Sequence, residues 1–129
     1  MQAMTNEDER RLYARYSCLG RASCELLVGD GVSEYRVDDL SRGGIRIAGQ
    51  GGGVFEHFTI GQKVRISSAR AEQNQLFKDI PGTVVWFGCF KDSRIMGIQF
   101  DEPLESKLDA MLRLFLESEM GKELESPQA

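Results

Sequence analysis

The sequence lacks any long apolar segment, and no run among its 129 residues approaches the roughly 18 residues that span a bilayer. Residues 1–11, MQAMTNEDERR, also lack the basic-then-apolar order of a signal peptide. The composition, 41% hydrophobic and 28% charged, is that of a globular chain with room for one core. These features predict a single-domain cytoplasmic protein that does not insert into a membrane.

Cysteine and histidine are scarce, which argues against catalysis and against a metal site. The three cysteines, Cys18, Cys24 and Cys89, are odd in number and show no CxxC spacing, so neither a disulfide framework nor a zinc site is indicated. Cys24 lies in an alternating apolar segment and is interpreted as part of the core. The single histidine, His57, lies between two phenylalanines, with no nucleophile or metal ligand nearby in sequence. The sequence therefore predicts a protein that is not an enzyme and holds no metal or cofactor.

Lysine is absent before Lys63, whereas seven arginines precede it. A guanidinium is a rigid fork that matches phosphates and base edges, so this bias favours an anionic ligand. Residues 101–129 carry eight acids against three bases, which leaves the first hundred residues close to neutral in a chain of net charge −4. A groove for single-stranded nucleic acid would need more positive charge with interleaved aromatics, so a nucleic acid polymer is the least favoured ligand.

Short alternating apolar segments, separated by glycine-rich turns, predict a small antiparallel β-barrel. Pro81 is interpreted as the entrance of a strand, and residues 49–62 are predicted to form a loop. The predicted strands are residues 22–28, 33–40, 44–48, 63–67, 82–90 and 94–100.

After Pro103 the apolar residues recur at spacings of three to five, which predicts one amphipathic helix over about residues 104–124. The domain organisation that follows is a flexible segment at residues 1–9, one domain over 10–125 that includes this helix, and a short tail at 126–129.

Two short motifs carry residues that suit a guanine nucleotide. RLYAR places Arg11 and Arg15 four residues apart, with Arg10 beside them, and two such guanidiniums can grip a phosphodiester or the O6/N7 edge of guanine.

The second motif, DLSRGG, supplies complementary groups. Asp39 can accept hydrogen bonds from the N1–H and amine of guanine, Ser41 adds a hydroxyl, and Gly43 and Gly44 allow close backbone approach. An alternative remains open at this point: an arginine of the first motif simply pairs with Asp39 across the barrel surface.

Together, in this order, the two motifs resemble those of the PilZ domain family, whose members carry RxxxR followed by [DN]xSxxG at a strand start. The strand pair GTVVWF and MGIQF is similar as well, and the resemblance covers roughly residues 9–120. It implies a six-stranded antiparallel β-barrel with a C-terminal helix that binds the bacterial second messenger cyclic di-GMP (c-di-GMP).

By this resemblance Arg11 and Arg15 would hold guanine and phosphate while the N-terminal segment folds over the ligand. Asp39 and Ser41 would contact the guanine edge, and Gly44 would keep the turn open. An arginine in the position of Arg10 implies an intercalated pair of ligands, hence two per chain.

Three further positions are candidates for the same site. Trp86 occupies the family's aromatic position on a later strand, where it is either core or a stacking surface for guanine. Arg42 and Arg46 could add positive charge, or could equally be solvated strand residues.

The function expected is a non-enzymatic receptor that changes conformation and signals to a protein partner, with motility, surface polysaccharide or biofilm control as the implied process. The alternative is a PilZ-like adaptor that binds protein and no nucleotide.

Overall fold

The part of the chain that the structure describes forms a closed six-stranded antiparallel β-barrel followed by a C-terminal helix, as predicted. The computed structural model describes residues 13–50, 54–90 and 92–115. The order around the barrel is β1-β2-β3-β6-β5-β4. The elements are β1 (Tyr16–Val28), β2 (Gly31–Leu40), β3 (Gly44–Gln50), β4 (Lys63–Ala71), β5 (Asn74–Phe90), β6 (Ser93–Phe100) and α1 (Lys107–Phe115).

The barrel interior is filled by the apolar residues that alternate along each strand. Because successive side chains of a strand point to opposite faces, every second residue faces inward. β1 closes the ring by pairing with both β2 and β4, so that Ala22 lies opposite Val37 on one side and Ala71 on the other. The largest fully buried side chains are Leu26, Leu40, Ile47, Ile66, Met96, Ile98, Val37, Val84 and Cys24.

All six strands are longer than the sequence predicts, and β1 and β5 differ most from the prediction. β1 begins at Tyr16 instead of residue 22, and its register against β2 shifts between Ser17 and Ala22, which breaks the simple alternation. β5 begins at Asn74, so Pro81 lies inside the strand and not at its entrance.

β5 tolerates Pro81 because its second neighbour, β6, begins to pair only after this residue. The ladder with β6 begins at Gly82, opposite Phe100, whereas the ladder with β4 runs through Pro81, opposite Arg65, as far as Thr83. The carbonyl of Pro81 accepts a hydrogen bond of 3.0 Å from the N–H of Asp101, beyond the end of the β6 ladder. Proline has no N–H to donate towards β6, but the β6 ladder does not extend to Pro81, so the missing donor interrupts no ladder.

α1 packs against the barrel through residues spaced by four. Leu104, Leu108 and Leu112 are buried. The helix begins at Lys107 because Leu104 is held in the preceding loop, where its N–H donates to the carbonyl of Arg42 at 2.8 Å. The predicted continuation to residue 124, the segment 1–9 and the tail 126–129 lie outside the described residues. Within the described ranges no helix is long and apolar enough to cross a bilayer.

The three cysteines are expected to differ sharply in reactivity. Cys18 and Cys24 are buried, and burial raises the pKa of each thiol to about 12, with nearby carboxylates adding to the effect. A raised pKa keeps a thiol protonated and unreactive at neutral pH, whereas Cys89 is exposed. A thiol reagent at about pH 8 should therefore modify one cysteine quickly in the native protein and all three after denaturation. Fast reaction of two or more thiols without denaturant would contradict the burial of Cys18 and Cys24.

Candidate ligand-binding site

A cleft on the barrel surface brings most of the predicted site residues together. Its empty space amounts to about 580 Å³ when the open solvent at its mouth is counted. The predicted residues that line it are Arg15, Asp39, Ser41, Gly43, Gly44, Arg46 and Trp86. Arg10 and Arg11 lie outside the described residues, so the structure does not place them.

Asp39 joins two arginines at the mouth of the cleft. Its Oδ2 accepts a 2.9 Å hydrogen bond from Nη2 of Arg15, and Nη1 of Arg46 lies 3.6 Å from the same oxygen. The register explains the arrangement, because Asp39 lies opposite Ser17 of β1 and opposite Arg46 of β3. The pairing that the sequence left as an alternative therefore exists, and both of its residues line the cleft.

This ion pair is accessible and replaceable. The side chain of Arg15 is 40% exposed and that of Asp39 is 18% exposed. Water competes for the charge of Arg15, which weakens the pair, whereas the carboxylate of Asp39 is largely covered. An anionic ligand that offers hydrogen-bond donors to the carboxylate can therefore compete with this pairing.

Ser41 organises the turn between β2 and β3. It is buried, its N–H donates to the carbonyl of Gly44 at 2.9 Å, and its hydroxyl oxygen accepts from the N–H of Gly43 at 3.2 Å. The hydroxyl thus shapes the backbone that forms one wall of the cleft. Its contact with a guanine edge stays a prediction.

Gly44 is required by the close approach of two strands. A Cβ atom added there would lie 2.7 Å from the carbonyl oxygen of Ile98 on β6, far inside van der Waals contact. Gly44 pairs with Gln99 in this ladder. Its position in the motif therefore has a structural reason, which is the spacing of β3 and β6 beneath the cleft.

Trp86 lies on the outer surface of the barrel. It is 40% exposed, which excludes the core alternative and leaves its ring accessible from the cleft. A register shift between Val84 and Trp86 places it opposite Gly97. A Cβ at Gly97 would lie 3.3 Å from Cβ of Trp86, and one at Gly88 would lie 2.5 Å from the indole ring. The two glycines thus give the indole room against the sheet.

Arg46 contacts the indole of Trp86, with its guanidinium carbon 5.0 Å from the ring centroid. Asp39, Arg46 and Trp86 therefore form a continuous set of a carboxylate, a cation and an aromatic ring along one side of the cleft. Such a set can accept hydrogen bonds from a base, neutralise a phosphate and stack against a purine.

Arg42 does not line the cleft. Its Nε donates to the carbonyl of Leu104 at 2.7 Å, and its guanidinium carbon lies 5.1 Å from the ring centroid of Tyr13.

Sequence reasoning missed the roles of Tyr13, Gly88 and Gly97. For Gly88 a signal existed, since it follows Trp86 by two residues and shares its face of the strand. Gly97 lies opposite Trp86 only because of the register shift, which no sequence pattern displays.

The described fold is shared with solved bacterial structures. The inhibitor of motility MotI/DgrA of Bacillus subtilis matches with a TM-score of 0.63 and 17% identity, over 94% of this chain and 58% of that one. YcgR of Escherichia coli, in complex with c-di-GMP, matches with a TM-score of 0.61 and 15% identity, over 92% and 50%. This chain therefore spans between half and three-fifths of those proteins.

A third structure, the PilZ domain of E. coli YcgR with c-di-GMP, matches with a TM-score of 0.56 and 14% identity, over 92% of this chain and 97% of that one. No curated protein is significantly similar in sequence. The family model described as PilZ domain matches residues 9–118, which is most of the chain. Together with the barrel and its paired motifs, this match shows that the chain belongs to the PilZ domain family.

Proposed function

We propose that this protein binds c-di-GMP in the cleft and acts as a non-enzymatic receptor. The observation that carries the proposal is the contact between the two motifs. Arg15 of RLYAR and Asp39 of DLSRGG are 24 residues apart in sequence, yet they meet at 2.9 Å at the mouth of the cleft. The c-di-GMP complexes of YcgR, which share the fold, support the choice of ligand.

The described side chains complement the ligand group by group. Arg15 and Arg46 offer charge-assisted hydrogen bonds to phosphate oxygens or to the O6/N7 edge of guanine. Asp39 accepts from the N1–H and amine of guanine, and Trp86 offers a surface for stacking. Because Arg46 already contacts the indole, a guanine stacks either beside this guanidinium or in its place.

The N-terminal segment completes the site in this proposal. Arg15 lies immediately before β1, so the chain that precedes it starts from the cleft. Arg11 and Arg10 then add cations to the ligand from that segment, and Arg10 favours a second c-di-GMP molecule. Ser41, Gly43 and Gly44 maintain the turn on which Asp39 depends.

Binding would alter the surface that the protein presents. The ligand replaces the pairing of Arg15 with Asp39, draws the arginine segment over the cleft and so creates a new surface for a protein partner. By the family relationship, the process regulated is motility, surface polysaccharide or biofilm formation.

Isothermal titration with c-di-GMP tests the receptor proposal, with GTP and linear pGpG as controls. Saturable binding near two ligands per chain is expected, together with a change in the fluorescence of Trp86, the only tryptophan in the sequence. A ratio near one would retain the receptor and remove the role of Arg10. Absence of both heat and fluorescence change would overturn the proposal and favour a protein-binding adaptor.

A further inference from the structure

We propose that Tyr13 and Arg42 are positioning residues that hold Arg15 at the cleft. This inference rests on the proposed function, since it concerns how Arg15 and the residues beside it, from Tyr13 onward, are kept beside the ligand. It assigns Arg42, which does not line the cleft, to the support of the site. It also gives a role to the tyrosine at the centre of RLYAR, a residue that the motif itself leaves unspecified.

Tyr13 packs on the turn that forms one wall of the cleft. A Cβ placed on Gly43 would lie 3.0 Å from Cδ2 and 3.2 Å from Cε2 of the Tyr13 ring. The ring therefore lies directly against the backbone of Gly43, which itself lines the cleft. A side chain at position 43 would push the ring away, so glycine here permits the contact.

Arg42 presents a cation that is fixed in place. Its Nε donates to the carbonyl of Leu104 at 2.7 Å, and its own carbonyl accepts from the N–H of Leu104 at 2.8 Å. These two bonds tie the turn between β2 and β3 to the loop that precedes α1. The guanidinium so held lies 5.1 Å from the centroid of the Tyr13 ring, within cation–π range.

The contact of Tyr13 with Arg42 and Gly43 also limits where Arg15 can lie, because Arg15 follows Tyr13 by two residues. Tyr13 is fixed on Gly43 and Arg42, while β1 begins at Tyr16. Arg15 is therefore held between two attachment points, and its pairing with Asp39 at the cleft follows. A segment that is already placed loses less conformational freedom on binding ligand, so the contact strengthens binding without touching the ligand.

A double-mutant cycle with c-di-GMP tests this arrangement. Tyr13→Ala and Arg42→Ala are each expected to weaken binding by about two- to fivefold, the range of an exposed cation–π contact. The double variant should bind c-di-GMP no less tightly than the single variant with the lower affinity, because both changes remove the same contact. Tyr13→Phe should restore the affinity lost in Tyr13→Ala, since the ring and not the hydroxyl makes the contact. Arg36→Ala removes a β2 arginine that lies outside the cleft and serves as the charge-matched control.

A ligand-free measurement separates this inference from the proposed function. Trypsin should cleave after Arg15 faster in Tyr13→Ala and Arg42→Ala than in the parent, and Tyr13→Phe should restore the slow rate. If the parent fails to bind c-di-GMP, the proposed function falls while this cleavage test still stands.

Three outcomes would overturn the inference. Unchanged cleavage in both alanine variants would mean that the segment is not held. Additive losses of affinity in the cycle would mean that Arg42 contacts the ligand itself. Tighter binding by Tyr13→Ala would mean that the contact opposes binding.

Discussion

Replacing Arg15 by alanine is expected to weaken c-di-GMP binding by about ten- to hundredfold, which corresponds to the loss of one hydrogen bond to a charged group. Arg15 lines the cleft, and Asp39, the carboxylate it pairs with, would remain at the site without this cation. The negative charge of Asp39 would then face an anionic ligand with less compensation. Titration of the variant measures the loss directly.

The fold should survive this change. The side chain of Arg15 is 40% exposed, so its ion pair contributes little to the free energy of unfolding. Arg21→Ala is a matched control, because Arg21 makes an ion pair of the same 2.9 Å length, with Glu72, and does not line the cleft. Parent-like affinity in Arg15→Ala, at an unchanged melting temperature, would show that the site has been assigned wrongly.

Replacing Gly44 by alanine is expected to destabilise the barrel by about 1–3 kcal/mol, the usual cost of forcing an extra methyl group into a packed position. The new Cβ would meet the carbonyl oxygen of Ile98 at 2.7 Å, and a backbone atom cannot rotate away as a side chain can. β3 and β6 would have to separate at their pairing. Thermal unfolding should show a decrease in Tm of several degrees.

Gly31→Ala provides the comparison for this variant. A Cβ at Gly31 would have its nearest contact, the carbonyl oxygen of Val28, at an ordinary 3.7 Å, so its Tm should change little. If Gly44→Ala unfolded at the same temperature as the parent but lost c-di-GMP, the glycine would serve the ligand and not the strand spacing. Loss of both would agree with the structural role described above.

The barrel could be predicted from sequence because its core follows a simple alternation. The segments that contain Ile45 and Ile47, or Val64 and Ile66, place every second residue inside, and the structure buries these residues. The first residues of β1 and the first half of β5 were missed for physical reasons. A register shift after Ser17 breaks the alternation in β1, and the tolerance of Pro81 depends on where the β6 ladder begins.

The sequence predicted which residues belong to the candidate site but not how the fold brings them together. That Arg15, Asp39, Arg46 and Trp86 lie together depends on the strand order of the closed barrel, in which β6 lies between β3 and β5, and no sequence pattern gave that order. The burial of Ser41 within its own turn and the contact of Arg42 with Leu104 depend on the turn geometry and on the loop before α1. Neither is visible in a linear pattern of residues.

The closure of the barrel also bears on when the proposed binding of c-di-GMP first becomes possible during synthesis. β1, which follows Arg15, pairs with β4 through contacts such as Ala22 with Ala71, and the far wall of the cleft comes from residues as late as Gln99. Pairing between distant parts of a chain costs the entropy that is lost when a long loop closes. Such barrels therefore fold more slowly than helical bundles. A nascent chain still short of β6 therefore lacks the cleft, and we expect the messenger to bind only after the ribosome has released nearly the whole domain.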